Sequence, residues 1–206
     1  MLTTADLRVC ILLVLIATVT RYVMSSFSSI SSPLIHNVSS LEFRQIANET
    51  YVKVIPCLER AWMLKAHHHK INWSFPEDAH DHYLKILRLT KPFRRIQVHE
   101  YAGYNGPWLE NIFITKFKDL PLHKFNGLIP IFIQWIDSQI LRGRLFDNIL
   151  MTLSTVLRPN VIYLAVSQGD VGLGKIGREF PNILVLSAGG YGHIALPLIK
   201  GAVRLS

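Results

Sequence analysis

The chain has 206 residues, of which 50% are hydrophobic and 17% charged. That composition supports one sizeable buried core with an extension and excludes a disordered chain. The net charge of +8 is not gathered into a run of lysines and arginines. Arg88, Lys91, Arg94 and Arg95 form the densest basic stretch, so nucleic acid is not an expected partner.

Val9 to Val19 is an uninterrupted apolar run between Arg8 and Arg21. It is shorter than the about 20 residues of a spanning helix and has the length of a signal-peptide core. Two readings stay open for residues 1–24. One is a cleaved signal peptide, with Ser25, Ser26 and Ser28 permitting cleavage. The other is an uncleaved signal anchor, with Arg21 reaching to the interface. Three N-glycosylation sequons follow, at Asn37, Asn48 and Asn72, and they favour a lumenal or extracellular destination. Of the two cysteines, Cys10 lies in the apolar run. Cys57 is then odd and is expected to pair outside this chain.

Residues 25–93 read as a stem and N-terminal extension. Ser25 to Ser40 is serine-rich, and Leu41 to Lys70 shows mixed helical periodicity through Ile55, Leu58 and Trp62. His67 to His69 and the group Asp78, His80, Asp81 and His82 read as polar, solvated loop. Adjacent histidines on a helix diverge, and His80 with His82 would converge on a metal only along a strand. No metal site is expected. His82 to Thr90 is a short helix or strand.

Residues 94–206 read as an α/β layer. Arg95 to Tyr101 alternates as a strand and breaks at Gly103 and Gly106-Pro107, and a helix follows from Trp108. Leu120 to Asn126 is loop. Leu128 to Ile136 is apolar on both faces and reads as a buried parallel strand. Asp137 to Leu157 is the clearest helix, with Ile140, Leu141, Leu145, Ile149, Leu153 and Val156 as its stripe and Asp137 as its N-cap. Val161 to Val166 and Asn182 to Ser187 are further strands, and Ile194 to Ile199 a short edge strand. The order β-α-β-α-β-β predicts a parallel sheet flanked by helices.

Candidate functional residues fall at strand ends, where open α/β sheets place their sites. Asp170, in a glycine loop, is the candidate general base. Tyr101, Tyr104 and Trp108 flank a glycine-rich turn; their rings suit a sugar or cap the core. Gly172, Gly174 and Gly177 match G-x-G-x-x-G, but the next strand follows closely and no acidic residue completes the fingerprint. The stretch therefore reads as a flexible loop and not as a dinucleotide site, and no cofactor is assigned. Ser167 and Ser187 lack a G-x-S-x-G elbow, which leaves serine hydrolysis with His193 unsupported.

Four tracts together resemble the N-terminal half of exostosin-like glycosyltransferases: RIQVHEYAGYNGPWLENIFITKF, LIPIFIQWID, RPNVIYLAVSQGD and PNILVLSAGGYGHIALPLIKG. The likeness rests on a strand ending in Tyr101, the run Ile129-Pro130-Ile131-Phe132, the turn Gln168-Gly169-Asp170-Val171-Gly172 and the pair Leu196-Pro197. It covers residues 95–201. Where the family has an acidic residue before its last apolar-proline strand, this chain has Gly192-His193.

The resemblance implies a Rossmann-like half of a GT-B-type enzyme, lumenal in the Golgi as a type II membrane protein held by its N-terminal segment. Its implied partners are a nucleotide-sugar donor and a glycan acceptor, and the donor-binding half is expected to be missing here. Asp170 is implied as catalytic base, and Tyr101, Tyr104, Asn105, Trp108, Glu110, Gln168 and His193 as acceptor contacts. A lumenal glycan-binding module without catalysis is the alternative.

Overall fold

The computed structural model describes residues 39–63, 75–95, 108–125, 127–136 and 144–197. The apolar run Val9 to Val19, the strand expected at 95–101 beyond Arg95, His67 to His69, and Asp137 with Ile140 and Leu141 lie outside them. The described helices are α1 (Ser40–Met63), α2 (Ala79–Leu89), α3 (Leu109–Phe117), α4 (Arg144–Val156) and α5 (Gly174–Glu179). The strands are β1 (Ile129–Pro130), β2 (Tyr163–Ser167), β3 (Ile183–Ser187) and β4 (Ile194–Ala195). They form a four-stranded sheet in the order β1-β2-β3-β4, parallel throughout. The expected parallel α/β layer is present.

β2 and β3 are its centre. Every residue of both strands is buried, as sheets covered on both faces require, and β-branched and aliphatic side chains suit that setting. Their register pairs Tyr163 with Ile183 and Ser167 with Ser187. Adjacent parallel strands need a crossover from the end of one to the start of the next. The glycine stretch expected as a loop supplies it: α5 forms there and buries Ile176. That corrects the loop reading.

β1 is shorter than the nine-residue apolar run predicted. Pro130 has no N–H to give the ladder, so pairing with the β2 side rests on Ile129 N to Ile162 O and Ile131 N to Leu164 O. Gln134 N then bonds to Phe93 O at 2.8 Å, which draws the chain out of the sheet. The run stays buried from Leu128 to Ile136 even so.

Two helices arise within the stretch read as stem and extension. α2 buries Ala79, His82, Tyr83 and Ile86, a helical i, i+3, i+4, i+7 stripe, so Asp78 to His82 is not the solvated loop expected. Tyr83 and Ile86 join the core. In α1, the Ser39 hydroxyl accepts a bond from Glu42 N, and Ser39-x-x-Glu42 is a capping-box pattern. Phe43 sets its ring edge-on against Phe180, and Arg44 bonds Glu179. In α4, Ile149, Leu153 and Val156 face the core while Asp147 and Asn148 are exposed, as the helical stripe predicted. No described helix is long and apolar enough to cross a membrane.

Candidate functional site

The carboxyl ends of β2 and β3 stand side by side. The chain leaves β2 through Gln168-Gly169-Asp170-Val171-Gly172 and β3 through Ala188-Gly189-Gly190-Tyr191-Gly192. A parallel bridge between Gly172 and Tyr191 locks the two loops together. Tyr191 N donates to Val171 O at 3.3 Å, and Leu173 N donates to Tyr191 O at 3.1 Å. Gly172 has φ +61°, and a Cβ there would stand 2.2 Å from Tyr191 N. Only glycine tolerates both the left-handed backbone and that approach.

The remaining glycines of the G-x-G-x-x-G pattern seat the same tyrosine. A Cβ on Gly174 would lie 3.5 Å from Tyr191 Cβ, and one on Gly177 would lie 2.8 Å from Tyr191 Cε1. The Tyr191 ring therefore lies along a glycine face of α5. The pattern builds an aromatic seat.

Tyr191 Oη lies 3.1 Å from His193 Nε2. Val185 N donates to His193 Nδ1 at 2.9 Å, so the ring nitrogen acts there as a carbonyl would. Nδ1 is then the acceptor, and the proton sits on Nε2, facing Tyr191. Burial pushes the His193 pKa from 6.5 to about 4. A charged ring would also lose the bond from Val185. Tyr51 of α1 packs against His193 with ring centroids 4.9 Å apart. His193, expected as an acceptor contact, is a neutral, half-buried support for the Tyr191 loop.

Three other expected contacts are buried. Trp108 is 5% exposed, so its ring offers no open stacking face. Glu110 is wholly buried, and its Oε1 accepts from Gln168 N at 3.0 Å. In return Gln168 Oε1 accepts from Leu109 N at 2.8 Å. This reciprocal pair pins the first turn of α3 to the end of β2. A carboxylate bonded to a backbone N–H at a helix start is well placed electrostatically. Tyr101, Tyr104 and Asn105 lie outside the described residues.

Asp170 is exposed. Its loop is held tightly, since a Cβ on Gly189 would meet Asp170 Cα at 3.3 Å. Deeper at the same edge, the Gln134 amide donates to Asn111 Oδ1. Ser167 Oγ and Gln134 Oε1 are buried with no hydrogen-bond partner among the described residues. Buried polar atoms seldom remain so, and both suit water or a ligand group.

Among the described residues, no cluster of three His, Cys, Asp or Glu side chains is placed to hold a metal ion. Asn48 is exposed on α1, and Thr50 of its sequon donates to Ile46 O at 2.8 Å. Asn37 and Asn72 lie outside the described residues. The chain matches no family model, no curated protein and no solved structure.

Proposed function

We propose that this chain is the acceptor-side, Rossmann-like half of an exostosin-type glycosyltransferase acting in the lumen of the secretory pathway. The observation that carries the reading is Asp170: an exposed carboxylate at the carboxyl end of a central parallel strand, in a loop fixed by glycine contacts. Ligands of open α/β sheets bind outside that edge. In the proposed reaction an acceptor hydroxyl oxygen attacks the anomeric carbon of a nucleotide-sugar. The bond from that carbon to the diphosphate oxygen breaks, and Asp170 takes the hydroxyl proton. A second α/β half would hold the donor. The sequons and the apolar run Val9 to Val19 support a lumenal, membrane-held placement.

The test is sugar transfer by the full-length protein from a panel of nucleotide-sugars to oligosaccharide acceptors. Asp170→Asn is expected to lower kcat by about 10²-fold or more, the usual contribution of a general base. Unchanged turnover in that variant removes Asp170 from the role.

A lumenal glycan-binding module without catalysis is the second reading, and one observation favours it. Glu110 Oε1, Gln168 Oε1 and His193 Nδ1 each accept a bond from a backbone N–H. Of the five described candidates, Asp170 alone is exposed. Glycan binding without turnover on that panel would select this reading.

A further inference from the structure

We propose that the Tyr191 ring, backed by His193 and Tyr51, is the stacking face for one pyranose ring of the glycan. Asp170 stands in the neighbouring loop as acceptor for the sugar's hydroxyls. The inference rests on the glycan reading above and names the site within it.

A sugar ring presents apolar C–H groups on one face and hydroxyls around its rim. A protein meets it with a fixed aromatic face and nearby acceptors. Tyr191 is 45% exposed, although it stands at the centre of a dense set of constraints. Its backbone is bridged on both sides to the Val171–Leu173 segment. Its ring rests on Gly174 and Gly177, and its hydroxyl meets His193. His193 is held in turn by Val185 N and the Tyr51 ring.

An exposed tyrosine normally loses rotamer freedom when it binds, which opposes association. Here that freedom is already removed on folding. Three glycines are used to fix a ring that is not part of the core. Val171 beside it is 75% exposed, which extends the apolar face, and Asp170 adjoins Val171 at its polar edge. The aromatic rim expected from the sequence at Tyr101, Tyr104 and Trp108 has its counterpart here, between different loops.

The probes are methyl β-D-glucopyranoside, methyl β-D-galactopyranoside and methyl N-acetyl-β-D-glucosaminide, followed by saturation-transfer NMR on the full chain. At least one is expected to bind, with transfer strongest on the C–H groups of one ring face. Tyr191→Ala should weaken that binding about tenfold, the scale of one aromatic contact. Gly177→Ala should do the same by pushing the ring from its seat, because the new Cβ would stand 2.8 Å from Tyr191 Cε1. The displaced atom is the end of a side chain, so this variant keeps the fold, and a thermal melt verifies it. Tyr191→Phe retains the face and should bind within about twofold of wild type. Binding unchanged in both Tyr191→Ala and Gly177→Ala overturns the stacking face and leaves the glycan reading standing. No binding of any probe by the wild type overturns both.

Discussion

The two ends of the central strands use polar side chains in opposite ways. At the amino end, Tyr163 is wholly buried, and its hydroxyl accepts from Arg158 N at 2.8 Å. It therefore gives its own proton to His82 Nε2, also 2.8 Å away. The Arg158 guanidinium makes a two-point pair with Asp78 at 2.8 and 2.7 Å, which holds the Asp78 carboxyl below its usual range. This chain of bonds ties α2 to the turn between α4 and β2. At the carboxyl end, Glu110, Gln168 and His193 bond to backbone N–H groups, Ser167 Oγ is buried without a partner among the described residues, and Asp170 is exposed. The contrast teaches that one end is built for stability and the other for an exposed, rigid loop pair.

Substitutions divide along that line, from strong to weak. Gly172→Ala should be the most damaging, by about 3 kcal/mol or more in chemical denaturation. It forces a Cβ onto a left-handed backbone and into Tyr191 N. A loss under about 1 kcal/mol would mean that the two loops are not locked. Tyr163→Phe should cost about 2 kcal/mol, because it strands Arg158 N–H and His82 Nε2 in the interior. The measurement is the denaturation midpoint, with an unchanged slope expected.

Acid should act next. Burial, reinforced by Arg158, pushes the His82 pKa from 6.5 down to about 4. The unfolded chain then takes up the proton first as pH falls. Stability contributed by neutral His82 is present above about pH 6.5 and is lost progressively toward pH 4. For this group the loss between pH 7 and pH 5 is about 2 kcal/mol. His82→Gln, if folded, should flatten the unfolding-versus-pH curve in that window; an undiminished slope would place the proton uptake elsewhere. Smallest of all, Asp170→Asn should shift stability by no more than about 0.5 kcal/mol, as exposed substitutions do. A large loss there would make Asp170 structural.

Much of the sheet was legible because its signal is repetitive. Val161 to Val166 and Ile183 to Leu186 are unbroken apolar runs, and Ile149, Leu153 and Val156 keep a helical period. The misses share a physical cause: single residues and short elements carry no period. α5 has six residues, three of them charged and two of them glycine, and nothing in it resembles a helix until the crossover between parallel strands demands one. His82 reads as one polar residue among several, and only Tyr163, far along the chain, makes it a buried acceptor. The capping pattern Ser39-x-x-Glu42 was available as a sign that α1 begins there.

At the site, Asp170 was recognisable from its place after a strand. Tyr191 was not, because its meaning depends on three glycines that precede it in the chain and meet it only in space. Trp108, Glu110 and Gln168 were drawn to the carboxyl edge of the sheet, where all three are buried. Their burial, and the bonds of Glu110 and Gln168 to backbone, are not specified by a local pattern.

The central claim is that ligand engages the carboxyl edge of β2 and β3. A backbone amide map of the full chain, titrated with the methyl glycosides named above, tests it most directly. The account predicts shifts concentrated in Gly169 to Leu173 and Gly189 to His193, fading before Arg158 to Tyr163. Shifts centred on Asp78, His82 and Arg158, with the Tyr191 loop silent, would contradict it.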